Sequence, residues 1–215
     1  MRYPVIFFDL DGTLTDPAVG ITKSVRYALA KFGIDAGLDD LRGFIGPPLH
    51  HSFMNSYGFD ASTARQAVEY YREYFAVAGI FENVLFQGVP DLLAGLKASG
   101  GELTVVTSKP SVYANQIVRH FELAGFFDAV VGPRLDLSQA EKALLVERAI
   151  GRYDGRRPVD FVMIGDREHD ILGANANGIA SIGVTYGAGS REELVAAGAT
   201  HVVDTLAELE TLLLG

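Results

Sequence analysis

Short apolar runs recur along the chain, and residues typical of turns separate them. The runs richest in β-branched residues are VIFFD, ELTVVTS, DFVMIGD, ASIGVTY and THVVD. Continuous apolar runs of this length are typical of strands that are buried on both faces. Helical spacing occurs between them, at 112–121 and at 139–150, where Ala143, Val146 and Ile150 share one face. This alternation predicts an α/β fold with a doubly wound, Rossmann-like parallel sheet.

The alternation stops between about residues 15 and 85, where the pattern is helical only. Two apolar stripes lie there at helical spacing: Ile21, Val25, Leu29 and Phe32, and then Val68, Tyr71 and Phe75. A helical segment of about 70 residues is too long for a simple crossover between neighbouring strands. We therefore predict a core domain of residues 1–14 and 86–215, with residues 15–85 inserted as a helical cap domain. The alternative is that these helices merely pack on the sheet.

Composition excludes several classes of protein. The chain has 215 residues, of which 48% are hydrophobic, so it can bury a substantial core. No run of about 18 apolar residues predicts a membrane span, and the first residues become acidic too soon for a secretory signal peptide. The chain has no cysteine, which excludes disulfides and thiolate metal sites. We expect a cytoplasmic protein without a membrane partner, as a monomer or a weak dimer.

The charge balance limits the partners further. The formal net charge is -9, and no run of lysine or arginine is longer than a pair. This balance argues against binding of a nucleic-acid polymer, and it repels anionic substrates at long range. Any phosphate site must therefore be positive locally, through a metal, a lysine or backbone N–H groups.

Polar side chains follow three of the predicted strands at the point where each strand ends. The first strand is followed by Asp9, Asp11, Gly12 and Thr13, the second by Thr107 and Ser108, and a later one by Asp166 and Asp170. Ligands bind at the carboxyl ends of the strands in open parallel sheets. We expect these side chains to converge on one edge of the sheet.

Two aspartates at the end of an apolar strand are costly to place there, which suggests a chemical task. Asp9 is ionised at neutral pH and can attack phosphorus as a nucleophile. Asp11 would protonate the leaving oxygen and later accept a proton from water. As an acid near neutral pH, Asp11 needs a pKa raised by about 3 units.

An anionic nucleophile that approaches a phosphate needs neutralising charge. Asp9 and Asp166 would hold a hard divalent cation, and oxygen-only ligands favour Mg²⁺. The capping-box pattern SQAE at 138–141 predicts that a helix begins just after Ser138. Lys142 would then lie in the first turns, where the helix dipole disfavours a cation. We interpret Lys142, with the hydroxyl of Thr107, as a phosphate-binding residue; the alternative is a solvent-exposed lysine.

The sequence indicates the roles of the remaining residues at these strand ends less strongly. Gly12 would let the backbone turn tightly beside the phosphate, and Thr13 would supply a hydroxyl or cap the turn. Asp170 would orient Lys142 or a metal-bound water. Its alternative is an aspartate favoured by the dipole in the first turn of a helix.

Four motifs now occur in a recognisable order: DLDGT at 9–13, Thr107 with Ser108, Lys142, and GDREHD at 165–170. With them the chain resembles the haloacid dehalogenase superfamily of phosphatases along almost its whole length. The resemblance implies an aspartyl-phosphate intermediate and a Mg²⁺ held by Asp9, Asp166 and the backbone carbonyl of Asp11. The helical insertion resembles the C1-type cap of this superfamily. Within it, the chain looks most like phosphoglycolate phosphatases and also resembles bacterial 5'-nucleotidases.

A cap that opens for substrate and then excludes water suits small metabolites. The loop at Gly46, Pro47 and Pro48 is expected to face the active site and to offer shape rather than charge. We predict Mg²⁺-dependent hydrolysis of small phosphate monoesters, with phosphoglycolate and nucleoside 5'-monophosphates as the leading candidates.

Other functions stay open at this stage. A phosphomutase of the same superfamily would share the core residues but would need a cationic clamp in the cap. A haloacid dehalogenase is disfavoured because displacing a halide does not require Asp11. A non-enzymatic phospho-aspartate signalling module uses similar residue types, in a different order and in a chain about half as long.

Overall fold

The computed structural model describes residues 1–135 and 140–215. The chain divides into two compact units, one formed by Met1–Thr15 with Leu85–Gly215 and the other by Asp16–Val84. These boundaries lie one residue from those expected for a core domain and an inserted domain.

Strands and helices alternate over most of the first unit, and the second unit contributes the three α-helices between residues 16 and 84. The strands are β1 (Val5–Phe8), β2 (Thr15–Asp16), β3 (Val84–Leu85), β4 (Glu102–Val106), β5 (Ala129–Val131), β6 (Phe161–Gly165), β7 (Ala180–Val184) and β8 (His201–Val203). The helices are α1 (Ala18–Ala30), α2 (Leu49–Tyr57), α3 (Ala61–Tyr74), α4 (Val89–Ala98), α5 (Ser111–His120), α6 (Lys142–Ile150), α7 (Glu168–Ala176), α8 (Arg191–Ala196) and α9 (Leu206–Leu214).

A six-stranded sheet organises the first unit, with the order β5-β4-β1-β6-β7-β8. Every neighbouring pair in this sheet is parallel. β1 lies near the centre, where Phe8 is in register with Val105 on one side and Ile164 on the other. All four residues of β1 are fully buried, because helices cover both faces of a sheet of this kind. The predicted α/β fold with a doubly wound parallel sheet is confirmed.

The strand β5, at one edge of the sheet, was not predicted from the sequence. The five apolar runs that predicted strands correspond to β1, β4, β6, β7 and β8, but β5 is an additional strand of three residues. Only Val131 of β5 is buried. β5 has three residues, and its pairing with β4 in the sheet establishes it as a strand.

Helix α6 differs from its prediction at the start and along its buried face. It begins at Lys142, because Glu141 is extended with φ -61° and ψ 127°. The expected start just after Ser138 is therefore wrong, and residues 136–139 lie outside the described part of the chain. The buried face consists of Lys142, Leu145, Val146 and Ala149, whereas Ala143 and Ile150 are half-buried.

The second unit is helical, as its pattern predicted. α1, α2 and α3 are accompanied by a 3-10 helix at Asp39–Phe44 and a π-helix at Phe75–Gly79. Its buried aromatic side chains pack against each other, with ring centroids of Phe44 and Phe53 5.0 Å apart. The expected stripes face this core, although Phe32 and Val68 are only half-buried. Within the described residues, no helix has both the length and the apolar character that crossing a bilayer requires.

Candidate active site

Three carboxylates lie together at the carboxyl edge of the sheet. Asp9 directly follows β1 and Asp166 directly follows the neighbouring β6, so the parallel register brings both to the same edge. The backbone N–H of Asp9 donates to the carbonyl of Ile164 at 2.8 Å and continues this pairing. Asp170 joins them from the first turn of α7, and one oxygen of each carboxylate lies within 4.8 Å of the others.

Lys142 lies buried against this cluster. Its Nζ is 3.1 Å from Oδ1 of Asp9 and 2.6 Å from Oδ1 of Asp170, and it donates to the carbonyl of Val106 at 3.1 Å. Only 7% of the residue is exposed, which excludes the solvent-exposed alternative. Although burial opposes the charged form, Asp170 and Asp9 raise the pKa of Lys142. Lys142 is therefore a permanent cation in contact with Asp9.

Burial and mutual repulsion perturb the acidic groups. Burial, together with Asp170 and Asp9, raises the pKa of Asp166 to about 7. Burial also raises the pKa of Asp170, against the opposing effect of Lys142. Together these carboxylates carry more negative charge than one lysine compensates, and a further cation would compensate the excess.

Asp11 has a partner that was not singled out in the sequence. Nζ of Lys109 lies 2.6 Å from Oδ2 of Asp11. Burial raises the pKa of Asp11, and the adjacent Lys109 partly offsets this effect. Lys109 belongs to the turn after β4, which also contains the expected phosphate-binding residues Thr107 and Ser108. Thr107 is buried and its hydroxyl accepts from the N–H of Lys109 at 3.2 Å, whereas Ser108 is exposed.

Gly12 and Thr13 contact Asp166. Gly12 has φ +83°, and a Cβ on it would lie 2.2 Å from Oδ2 of Asp166. A glycine is needed there both for the left-handed backbone and for the close approach of the carboxylate. The hydroxyl of Thr13 is fully buried and donates to Oδ1 of Asp166 over 3.5 Å. The expected tight turn is present, and a carboxylate lies against it.

Comparison with known proteins places these residues in a family. The family model described as haloacid dehalogenase-like hydrolase matches residues 6–184. The chain belongs to this family. A 5'-nucleotidase from Pseudomonas aeruginosa is 50% identical over 99% of this chain and 96% of that protein. The crystal structure of a predicted phosphatase from Clostridium acetobutylicum has a TM-score of 0.92 and 49% identity, covering 100% of this chain and 99% of that one.

More distant members of the haloacid dehalogenase-like family have varied names. Tyrosine-protein kinase PtkA from Mycobacterium tuberculosis is 37% identical over 97% of this chain and 70% of that protein. Phosphoglycolate phosphatase 1 from Pseudomonas aeruginosa is 28% identical over 95% of this chain and 78% of that protein. The predicted family and the prediction of a phosphoric monoester hydrolase are confirmed. The match to a hydrolase family over residues 6–184 disfavours the non-enzymatic phospho-aspartate signalling module.

A glycine-rich loop after β7 completes the surroundings of Asp166 in this haloacid dehalogenase-like chain. The N–H of Ala188 donates to Oδ2 of Asp166 at 2.8 Å. A Cβ on Gly187 would lie 2.4 Å from Cβ of Asp166, and one on Gly189 would lie 1.9 Å from its carbonyl oxygen. Sequence reasoning missed this loop. The available signal was the pattern YGAGS directly after a predicted strand, at the edge where ligands bind.

The residues of the site fit a hard divalent cation. Asp9, Asp166 and Asp170 offer only carboxylate oxygens, the ligand type that such cations prefer. The raised pKa of Asp166 reflects negative charge that a bound cation would compensate. The residues present can therefore hold a metal at this edge of the sheet.

The loop expected to contact substrate lies in the second unit. Gly46 has φ +102° and follows the 3-10 helix, and Pro48 precedes the first residue of α2. The rings of Pro47 and Pro48 fix φ at both positions and restrict the backbone of this loop. Its role at the active site stays a prediction.

Proposed function

We propose that the chain is a Mg²⁺-dependent phosphatase that hydrolyses small phosphate monoesters through an aspartyl-phosphate intermediate. The single observation that carries the proposal is the position of Asp9, at the end of β1 and 3.1 Å from the buried cation of Lys142. A carboxylate held beside a fixed cation can meet a phosphate dianion, because the cation compensates the repulsion between them.

The proposed reaction has two steps. In the first, a carboxylate oxygen of Asp9 attacks phosphorus, the ester P–O bond breaks, and Asp11 donates its proton to the leaving oxygen. In the second, water attacks the phosphorus of the aspartyl phosphate and gives a proton to Asp11, and phosphate leaves with Asp9 regenerated. The raised pKa of Asp11 supports its role as the proton donor.

The other residues bind and orient. Lys142 and the hydroxyl of Thr107 would hold phosphoryl oxygens, with the backbone at Gly12, Thr13 and Ser108. Asp170 holds Lys142 in place through its 2.6 Å ion pair. A contact between opposite charges strengthens as charge develops on the phosphoryl oxygens, so Lys142 would favour the transition state over the bound substrate.

The side chains of Asp9 and Asp166, with the backbone carbonyl of Asp11, would hold the Mg²⁺, and Asp170 lies close enough to contribute. A bound Mg²⁺ would neutralise part of the charge between the nucleophile and the phosphate. The hydrogen bonds that Ala188 and Thr13 donate to Asp166 would orient this carboxylate.

We further propose nucleoside 5'-monophosphates as the preferred substrates and phosphoglycolate as the second candidate. The 5'-nucleotidase relative shares half of its residues with the chain over nearly the full length of both proteins, whereas the phosphoglycolate phosphatase relative is 28% identical. We assign the helical unit Asp16–Val84 the role of a cap, with the loop Gly46, Pro47 and Pro48 as a substrate contact.

A panel of phosphorylated metabolites, assayed by phosphate release, tests the proposal. We expect turnover that EDTA removes and Mg²⁺ restores, with a nucleoside 5'-monophosphate among the best substrates. The Asp9→Asn variant, purified in parallel, should fold normally and lose turnover, because an amide cannot form the acyl phosphate. Full activity in EDTA, or substantial activity of the variant, would contradict the mechanism.

The same protein preparations distinguish a phosphatase from a phosphomutase and from a tyrosine kinase. A phosphomutase would convert a sugar phosphate to its isomer with little free phosphate. Transfer from ATP to a tyrosine peptide, the activity that the name of PtkA describes, would appear as labelled peptide rather than as free phosphate. Either result, without hydrolysis of any monoester, would overturn the proposed phosphatase.

A further inference from the structure

A second lysine, whose side chain is largely buried, contacts the proposed acid and base. Nζ of Lys109 lies 2.6 Å from Oδ2 of Asp11, and only 8% of the lysine side chain is exposed, compared with 21% of the aspartate side chain. Lys142 lies within ion-pair distance of Asp9 and Asp170. Each of the two aspartates at the end of β1 therefore has its own lysine.

The backbone of Lys109 is held in place from several directions. Its N–H donates to the hydroxyl of Thr107, and the N–H of Thr107 donates to the carbonyl of Val131 in β5 at 2.9 Å. The carbonyl of Lys109 approaches Gly132 so closely that a Cβ there would lie 2.6 Å from it. The N–H of Ser111, at the start of α5, donates to the carbonyl of Pro133 at 3.0 Å. The lysine therefore projects from a well-supported turn.

Asp11 itself has fewer constraints. Its Oδ1 atom is buried and makes no hydrogen bond in the described part of the chain. A carboxylate can rotate about two bonds, and a proton donor acts only within hydrogen-bond distance of the leaving oxygen. The contact between Oδ2 and Lys109 is a charge-assisted one, which is stronger and more directional than a neutral hydrogen bond. It restricts the rotation of the carboxyl group.

We infer that Lys109 is a positioning residue that holds Asp11 in the orientation needed for proton transfer at the leaving oxygen. This inference rests on the proposed function, in which Asp11 exchanges that proton. The lysine acts through the aspartate, so its removal should impair the step that needs the proton and leave phosphate binding nearly unchanged.

Lys109→Met tests the inference, with Lys109→Arg as the conservative variant. We expect Lys109→Met to lower kcat on a nucleoside 5'-monophosphate by about 10- to 100-fold with little change in KM, because misplacing a catalytic group costs that much. The loss should be smaller for p-nitrophenyl phosphate, whose leaving group hardly needs a proton. Lys109→Arg should recover part of kcat, since a guanidinium keeps the charge-assisted contact.

Lys97→Met is the matched control. Lys97 also pairs with an aspartate, with Nζ 3.3 Å from Oδ1 of Asp128. This pair is solvent-exposed, and Lys97 lies in the last turn of α4. The control loses the same charge and the same kind of contact, and it should keep the kinetic constants. An equal loss of kcat in Lys97→Met would overturn the assignment of the effect to Asp11.

A double-mutant cycle with Asp11→Asn, measured on phenyl phosphate, decides whether Lys109 acts through Asp11. If it does, Lys109→Met should cost almost nothing more in the Asp11→Asn background. Additive losses, an effect on KM alone, or a uniform loss across leaving groups would overturn the inference. Failure of the proposed function is distinguishable, because then Asp9→Asn or Asp11→Asn would itself retain the activity.

Discussion

At the scale of single residues, Gly12 meets two demands at one position. Its φ of +83° lies in the left-handed region, and the space that a side chain would need is occupied by Oδ2 of Asp166. Gly155 shares only the first demand, since its φ is +75° and no atom lies within 4 Å of an added Cβ. A comparison of substitutions at the two glycines therefore distinguishes the effect of backbone strain from the effect of the close approach of Asp166.

Alanine substitutions at these two glycines should differ. Gly155→Ala should lower the free energy of unfolding by about 1 kcal/mol through strain alone and leave turnover intact. Gly12→Ala should lower stability further and reduce phosphate release at least about tenfold, because Asp166 has to move. Urea unfolding and phosphate release measure the two effects. Equal behaviour of both variants would show that the approach of Asp166 is unimportant.

Lys142 is the residue whose charge the site depends on most. Lys142→Met should lower the free energy of unfolding by about 3 kcal/mol, because Asp9 and Asp170 lose their buried counter-charge. Adding Asp170→Asn should restore part of this stability but none of the turnover. Urea unfolding and phosphate release again give the readouts. Recovery of activity in the double variant would contradict a direct role of Lys142 at the phosphate.

At the scale of secondary-structure elements, side chains cap the first turn of α9. The hydroxyl of Thr205 accepts from the N–H of Glu208 at 3.1 Å, and the carboxylate of Glu208 accepts from the N–H of Asp204 at 2.8 Å. Leu209 and Leu213 are fully buried on one face of the helix. Side-chain capping of this kind satisfies backbone donors that the first turn leaves unpaired.

Removing the cap of α9 should destabilise the first unit. Thr205→Ala should cost about 1 kcal/mol of unfolding free energy, whereas Thr211→Ala on the same helix should be nearly neutral. Thr211 is exposed, and its hydroxyl only donates back to the carbonyl of Ala207. Chemical denaturation of the two variants checks the difference. A loss at Thr211 as large as that at Thr205 would rule out capping as the cause.

At the scale of the whole molecule, a chain of net charge -9 buries three of its own carboxylates, Asp9, Asp166 and Asp170, at one edge of its sheet. The pKa of Asp166 is about 7 in the folded chain, compared with 3.8 for an ordinary aspartate, the value expected in the unfolded chain. Between these values the folded chain binds more protons than the unfolded chain. The contribution of Asp166 to stability is therefore fully present below about pH 4 and is lost as the pH rises through about 7.

The metal-free protein should thus be less stable at pH 8 than at pH 5. The contribution of Asp166 to this change is about 2 to 3 kcal/mol, and urea unfolding in EDTA measures it. Asp166→Asn should lose that dependence. Mg²⁺ should stabilise the protein more at pH 8, because it binds the ionised carboxylates. A metal-free protein whose stability rises between these two pH values, with the variant unchanged, would contradict this picture.

Local patterns in the sequence determined the fold class and most of the candidate site. Apolar runs identified five strands because a buried strand is apolar along its own length, and polar residues after them marked the carboxyl edge. Asp9, Asp11 and Asp166 could be placed there from sequence alone, since parallel strands bring their ends to one edge. The sequence also predicted the buried face of α1 through its helical period.

Only the tertiary structure decided which of these groups touch. The pairing of Lys109 with Asp11 and the approach of Gly187 to Asp166 join residues that are far apart in the chain, so no local pattern encodes them. Likewise, the ion pairs that Lys142, the first residue of α6, makes with Asp9 and Asp170 join three separate elements. Periodicity reports what one element needs, whereas charge compensation in a buried site depends on distances between elements.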